Sequence, residues 1–240
     1  MTGGAADAIL RKQRGEIMEL AELLQIRTGV TAVIGGGGKT TLLRTLGEEL
    51  AARRGRVLLC TTTKIYPFPG LPLARSLAEL DRLARDHALL CAGREVPDTG
   101  KLTAPEIPME DLAKRFDYVL VEADGAKGRP LKAHAAYEPV IPAEAGQVIC
   151  VVGASGFGRP IGEAAHRPER YASLAGCAVT DAAAPETEAA VLEAEALHHR
   201  VYVNQVETAA SLAAARTLAE LLGCPVLAGS LRQGVYVPIR

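Results

Sequence analysis

Tryptophan is absent from the 240-residue chain, and aromatic residues make up only 4% of it. So few rings argue against the stacking platform that a single-stranded nucleic acid needs. Nor is there an excess of positive charge. Lysine and arginine total 27 against 28 acidic residues, a formal net charge of −1, which gives no electrostatic ground for DNA or RNA as a partner. No apolar run reaches the roughly 18 residues of a membrane-spanning helix. The five cysteines (Cys60, Cys91, Cys150, Cys177 and Cys224) are widely separated and form no CxxC pair. An odd number without a disulfide framework points to a reducing compartment. The opening residues MTGGAADAILRKQRG lack the apolar core of a signal peptide, so a cytoplasmic protein is expected. There is no internal repeat. What remains, 48% hydrophobic and 23% charged residues, is ample for a globular core.

The spacing of apolar residues predicts strands alternating with helices. Residues 1–15 read as an N-terminal tail and 16–240 as a single domain. An amphipathic helix is expected over Glu16–Ile26, stopped by Gly29, then a strand at Val30–Ile34, four glycines, and a helix from Lys39 to Arg53. Further strands are expected at Arg56–Cys60, Ala88–Cys91, Tyr118–Val121, Val148–Val152, Arg200–Val203 and Pro225–Leu227. Helices are expected at Ala74–Arg85, Met109–Phe116, Pro185–Leu197 and Thr208–Leu222. Such alternation implies a three-layer α/β/α sandwich around a mostly parallel sheet, with ligands beyond the carboxyl ends of the strands.

Four polar segments follow strands in this reading. The first is Gly35-Gly36-Gly37-Gly38-Lys39-Thr40-Thr41. Glycines let a backbone wrap an anion, a helix start adds positive potential, Lys39 would reach the β- and γ-phosphates, and the Thr40 hydroxyl would ligate Mg²⁺. The match to GxxxxGK[ST] is not strict, since the first glycine would fall at Val33. In the second, the strand ending in Glu122-Ala123-Asp124-Gly125 brings two carboxylates. Glu122 or Asp124 would organise Mg²⁺ and water, and Gly125 would donate its N–H to a γ-phosphate, unless the acids merely solvate a strand end. The third, Asn204-Gln205-Val206-Glu207, is a weak form of the guanine-reading NKxD, in which Glu207 would accept from guanine; a plain strand-to-helix loop reads as well. The fourth, Thr61-Thr62-Thr63-Lys64, reads equally as a polar strand end.

Lys127, Arg129, Lys132, His134 and Glu138 form a second polar cluster or a surface loop. His166-Arg167-Pro168-Glu169 reads better as a helix start than as a catalytic arginine. His198-His199 closes a helix, where a cation suits the dipole. Cys60 reads as a buried strand cysteine rather than a carrier.

Together, VIGGGGKTTLL, VLLCTTTKIYP, GKL at Gly100–Leu102, DYVLVEADGAKGRPLKAHAAYEPVIP, HRPE at His166–Glu169 and VNQVE resemble the selenium-dependent molybdenum hydroxylase accessory proteins, the YqeC-type family. The family usually has a small residue at the position of Gly36, and often lysine near Gln205 and aspartate near Glu207. The resemblance implies a P-loop NTPase-like fold and a role in maturing selenium-containing molybdenum hydroxylases. The expected cofactors are Mg²⁺ and a nucleoside triphosphate, GTP or ATP. The expected partners are that hydroxylase or another maturation factor, with a homodimer as one compatible assembly and neither nucleic acid nor membrane involved. A small-molecule kinase or nucleotidyl transferase, with its acceptor against Lys127, Lys132 and His134, and a non-hydrolysing nucleotide-binding adaptor are the alternatives.

Overall fold

Nine strands form one sheet, parallel throughout except for the edge strand Val235–Pro238. The structure, a computed structural model, describes residues 19–240. The expected tail at 1–15 and the first residues of the helix expected over 16–26 lie outside the described residues.

The elements in chain order are α1 (Leu20–Leu23), β1 (Gly29–Gly35), α2 (Lys39–Ala52), β2 (Val57–Thr61), β3 (Leu73–Ala74), α3 (Leu77–Leu83), β4 (Leu89–Ala92), β5 (Arg94–Val96) and β6 (Lys101–Thr103). Then come α4 (Met109–Arg115), β7 (Tyr118–Glu122), β8 (Leu131–Lys132), β9 (Ala145–Gly153), α5 (Ile161–Ala164), β10 (Ala165–His166) and α6 (Pro168–Ala175). The chain closes with α7 (Pro185–Glu195), β11 (Arg200–Asn204), α8 (Ala209–Leu221), β12 (Val226–Ser230) and β13 (Val235–Pro238). The strand order in the sheet is β13-β12-β11-β9-β1-β7-β2-β4-β3.

Central parallel strands are covered on both faces and therefore read as continuous apolar runs. β2 and β7 follow this rule, and alternate residues enter opposite cores. Val57, Leu59 and Leu120 pack with α1 and α2, whereas Leu58, Cys60, Val119 and Val121 pack under α3 and α4. Val148, Cys150, Val152, Val201 and Val203 face a third cluster beneath α5 to α8. Helices thus cover both faces, as the alternation implied.

Several boundaries differ from expectation. Gly29 does not stop a helix; it opens β1 with φ +103°, and the described helix ends at Leu23. The helix expected from Ala74 begins at Leu77, because the Ser76 hydroxyl accepts from the Glu79 amide at 3.2 Å and caps it, leaving Ala74 to pair in β3. The polar loop after β4 is a hairpin, β5 against β6, and the C-terminal residues add the antiparallel edge strand β13. Both were hidden because strands of three or four residues are too short to show a periodic pattern.

From β1 the chain moves to β2 on one side of the sheet, returns through β7 beside β1, and crosses to β9 on the other side. β1 therefore stands where the winding reverses. The glycine run follows β1 at the carboxyl end of the sheet, the position where ligands bind in open α/β folds.

Candidate phosphate-binding site

The glycine run joins the buried end of β1 to the first turn of α2 and packs too closely for any side chain. A Cβ on Gly35 would lie 2.3 Å from the Val151 oxygen, and one on Gly37 would lie 2.5 Å from Gly153 Cα. Gly35, Gly37 and Gly38 also have φ of +93°, +79° and +128°, in the region that favours glycine. A Cβ on Gly36 would meet the Arg129 and Pro130 carbonyls at 2.7 Å.

The loop's amides are distributed differently from the simple expectation of an inward-facing cradle. Gly35 N–H donates to Asp124 Oδ2 at 2.9 Å, Gly36 N–H to the Val151 carbonyl at 2.8 Å, and Gly37 N–H to the Arg129 carbonyl at 3.1 Å. These three brace the loop. The start of α2 is different, since its N-cap is Gly38 and no side chain caps it. The first amides of a helix have no intrahelical acceptor, so the 14-residue α2 presents donors without a side-chain cap, and its positive end, beside the glycine run.

Lys39 is the first residue of α2 and is buried. Its Nζ donates to the Gly35 carbonyl at 2.7 Å, lies 3.0 Å from Asp124 Oδ1 and 3.8 Å from Glu122 Oε1. The side chain thus arches over the loop it would serve. Thr40 Oγ1 donates to Glu122 Oε2 at 2.7 Å, tying α2 to the end of β7. Burial raises the Glu122 carboxyl above its ordinary range, with Lys39 and Thr40 opposing. Thr41 is exposed, and Gly125 lends its carbonyl to Lys132 Nζ at 2.6 Å.

Asp124 is fully buried. Burial alone would raise its pKa, but Lys39, His134 and Lys132 outweigh that and hold the carboxyl well below the usual range. Its Oδ2 lies 2.6 Å from His134 Nε2 and 3.2 Å from Lys132 Nζ. His134 Nδ1 in turn lies 2.6 Å from Glu195 Oε2, while Lys132 Nζ lies 3.0 Å from Glu138 Oε2 and Arg167 Nε donates to Glu138 Oε1 at 2.7 Å.

The second polar cluster is therefore real, but it is not an open surface. Lys132 and His134 are each 3% exposed and already paired with carboxylates, so they do not form the open acceptor surface that the kinase reading supposed. Lys127 is exposed and outside this network of contacts. Arg167 joins it and also precedes Pro168 at the first position of α6. Glu195 was missed because nothing local marks it; it is one of several glutamates on an alanine-rich helix, and only folding brings it to His134.

Asn204, at the end of β11, ties the loop to the far side of the sheet. Its Nδ2 donates to the Gly37 carbonyl at 2.7 Å, and its Oδ1 accepts from the Leu231 amide at 3.1 Å. Glu207 Oε1 accepts from Ser230 at 2.9 Å, and its carboxylate is gripped by Arg232, so both expected base-reading groups have protein partners. Thr61 Oγ1 donates to the Glu122 carbonyl at 2.8 Å, which makes it a bolt between β2 and β7. His199 Nδ1 accepts from the Val148 amide at 2.9 Å, a structural use. Cys60 is fully buried and burial pushes its thiol far up, which leaves no reactive thiolate.

A mostly parallel α/β sheet, a glycine loop at its reversal, a lysine opening the following helix, and a carboxylate on the adjacent strand define a P-loop-like protein. The family model described as YqeC protein matches residues 31–169, more than half of the chain, and the chain belongs to that family. A relative, described as uncharacterized protein YqeC of Escherichia coli (strain K12), is 36% identical over 161 residues. That match covers 63% of this chain and 62% of the relative, less than two thirds of its length.

Among solved structures, the hydrogenase maturation factor HypB of Archaeoglobus fulgidus is 13% identical with a TM-score of 0.44, over 89% of this chain and 87% of that one. FtsY of Mycoplasma mycoides is 11% identical with a TM-score of 0.46, over 89% of this chain and 64% of that one. Similarities of that degree say nothing about ligand or activity. Among the described residues, no helix is long and apolar enough to cross a membrane.

Proposed function

We propose that the chain binds a magnesium nucleoside triphosphate at Gly35–Thr41 and hydrolyses it as an accessory factor in the maturation of selenium-dependent molybdenum hydroxylases. The observation that carries the binding step is the uncapped start of α2 with Lys39 seated beside it. A polyphosphate would satisfy those amides and take the ammonium from Asp124. Gly38 through Thr41 supply main-chain donors, while Gly35 to Gly37 hold the loop's shape.

Magnesium favours hard oxygen donors, and the Thr40 hydroxyl beside the Glu122 carboxylate is such a pair. Those two residues would hold the ion, which when bound offsets charge on the phosphate oxygens. Glu122 and Asp124 also supply the carboxylates that orient water at the γ-phosphate, and Gly125 closes the same turn. Catalysis of this kind is positioning and charge stabilisation. Base choice, GTP or ATP, falls to Asn204 and Glu207; reading guanine requires Glu207 to release Arg232.

The hydroxylase context rests on the motif strings EADG, PLKA and EPVIP in residues 122–142. Its partner is the hydroxylase itself or another maturation factor, docking according to nucleotide state.

The test is equilibrium binding of GTP and ATP, each with Mg²⁺, to wild type and Lys39→Ala, followed by product analysis. Binding by wild type that weakens at least about a hundredfold in the variant is expected. Failure of wild type to bind either nucleotide overturns the reading, and tight binding without inorganic phosphate release removes hydrolysis.

A further inference from the structure

Four groups converge on the Asp124 carboxylate: the Gly35 amide, Lys39, Lys132 and His134. Two of them, Gly35 and Lys39, belong to the phosphate loop, whereas Lys132 and His134 reach Asp124 Oδ2 from outside it. The proposed reaction gives His134 no task. It is buried, and both its ring nitrogens face carboxylates, Nε2 at 2.6 Å from Asp124 Oδ2 and Nδ1 at 2.6 Å from Glu195 Oε2. Glu195 also accepts the backbone N–H of His134 at 2.6 Å through Oε1, so the residue is held by main chain and side chain together.

A neutral imidazole has one N–H donor and an imidazolium has two. Only the imidazolium satisfies both carboxylates at once. The neighbouring Glu188 carboxyl on α7, fully enclosed, does not add a third anion, because burial pushes it up to about 8. The ring is therefore a fixed positive charge wedged between α7 and the end of β7.

We propose that His134, clamped by Glu195 against Asp124, is a positioning residue for the phosphate loop that sets how readily Lys39 leaves Asp124 for a polyphosphate. The inference rests on the phosphate-binding reading above. In the resting loop Lys39 Nζ sits 3.0 Å from Asp124 Oδ1, and an incoming phosphate must compete for it. A second cation on Oδ2 weakens the hold of the carboxylate on Lys39. It also keeps Asp124 in place, so the bond from Gly35 N–H to Oδ2 survives when the lysine moves. Lys132 shares this duty, but it is already divided between Asp124, Glu138 and the Gly125 carbonyl. Glu195 is the last residue of α7, so the clamp also makes the loop sensitive to the position of that helix.

The experiment measures Kd for the nucleotide that wild type binds, with Mg²⁺, in wild type, His134→Gln and Glu195→Gln, with melting midpoints recorded alongside. In the same samples, ¹⁵N NMR follows the His134 ring nitrogens during nucleotide titration of wild type and of Lys39→Ala. Expected are two protonated ring nitrogens, resonances that move on nucleotide addition in wild type but not in Lys39→Ala, and a Kd raised about tenfold in folded His134→Gln, as for other groups that orient a binding residue.

A wild-type Kd in folded His134→Gln overturns the inference while leaving phosphate binding intact. Ring resonances indifferent to nucleotide overturn it too, since a merely structural histidine would behave so. Should His134→Gln fail to fold, Glu195→Gln decides, and an unchanged Kd there overturns the clamp. Absence of nucleotide binding in wild type overturns the phosphate reading itself and this inference with it.

Discussion

A carboxyl group enclosed by apolar side chains is a stored cost, and Glu188 is such a group. It is fully enclosed on α7, one of its oxygens has no hydrogen-bond donor, and burial pushes it up to about 8 against the opposing Tyr171 and His134. The folded protein therefore holds a proton that the unfolded chain releases near the ordinary value of 4.5. Stability from this group is complete below that ordinary value and is lost as pH rises towards 8, because the native state binds the extra proton. Glu188→Gln keeps the shape without the ionisation. Urea denaturation of the variant should match wild type at low pH and exceed it by a few kcal/mol at pH 9, since each tenfold difference in proton affinity between the folded and unfolded chain is worth about 1.4 kcal/mol. Equal stabilities at pH 9 would sink the assignment. The same burial logic separates the two polar clusters seen in the sequence. Lys39 was legible from its glycines, whereas His134 and Glu195 needed folding to bring them within 2.6 Å.

Elements are held by their ends as much as by their faces. α8 starts at Ala209 with Thr208 as N-cap; its hydroxyl accepts from the Ser211 amide at 3.1 Å, and Ser211 Oγ accepts the Thr208 amide at 3.0 Å. The apolar face, Leu212, Ala215, Leu218 and Ala219, is buried against the sheet. Thr208→Ala should cost about 1 kcal/mol in chemical denaturation, the usual worth of an N-cap. A loss below about 0.3 kcal/mol would mean that packing alone holds the helix start. The contrast with α2 is instructive. α8 satisfies its first turn internally, while no side chain caps the start of α2. Thr208 before a long apolar helix was readable in advance. The hairpin β5–β6 and the edge strand β13 were not, because strands of three and four residues are too short to show an alternating pattern and take their register from neighbours.

At the scale of the whole molecule, the loop draws its bonds from both sides of the sheet. Asp124 reaches it from the β7 side, the Val151 carbonyl from β9, and Asn204 from β11. A ligand that completes such a junction should stabilise the entire sheet. With magnesium nucleotide at a hundredfold over its Kd, global stability of wild type should rise by about 2.7 kcal/mol. Lys39→Ala at the same concentration should show almost no rise. A thermal midpoint indifferent to nucleotide in wild type would contradict the proposed site.

The sequence by itself determined the alternation of strands and helices, the parallel sheet and the place of the glycine run, because apolar periodicity and glycine punctuation are local. It also carried the motif strings by which the family was legible. Only the tertiary structure decided which amides of the loop remain free, that Asn204 braces the loop and Arg232 holds Glu207, and that Lys132 and His134 are buried rather than offered to a substrate. Those outcomes depend on residues up to 167 positions apart in the chain. Spacing along a strand or helix cannot encode a contact made between two of them.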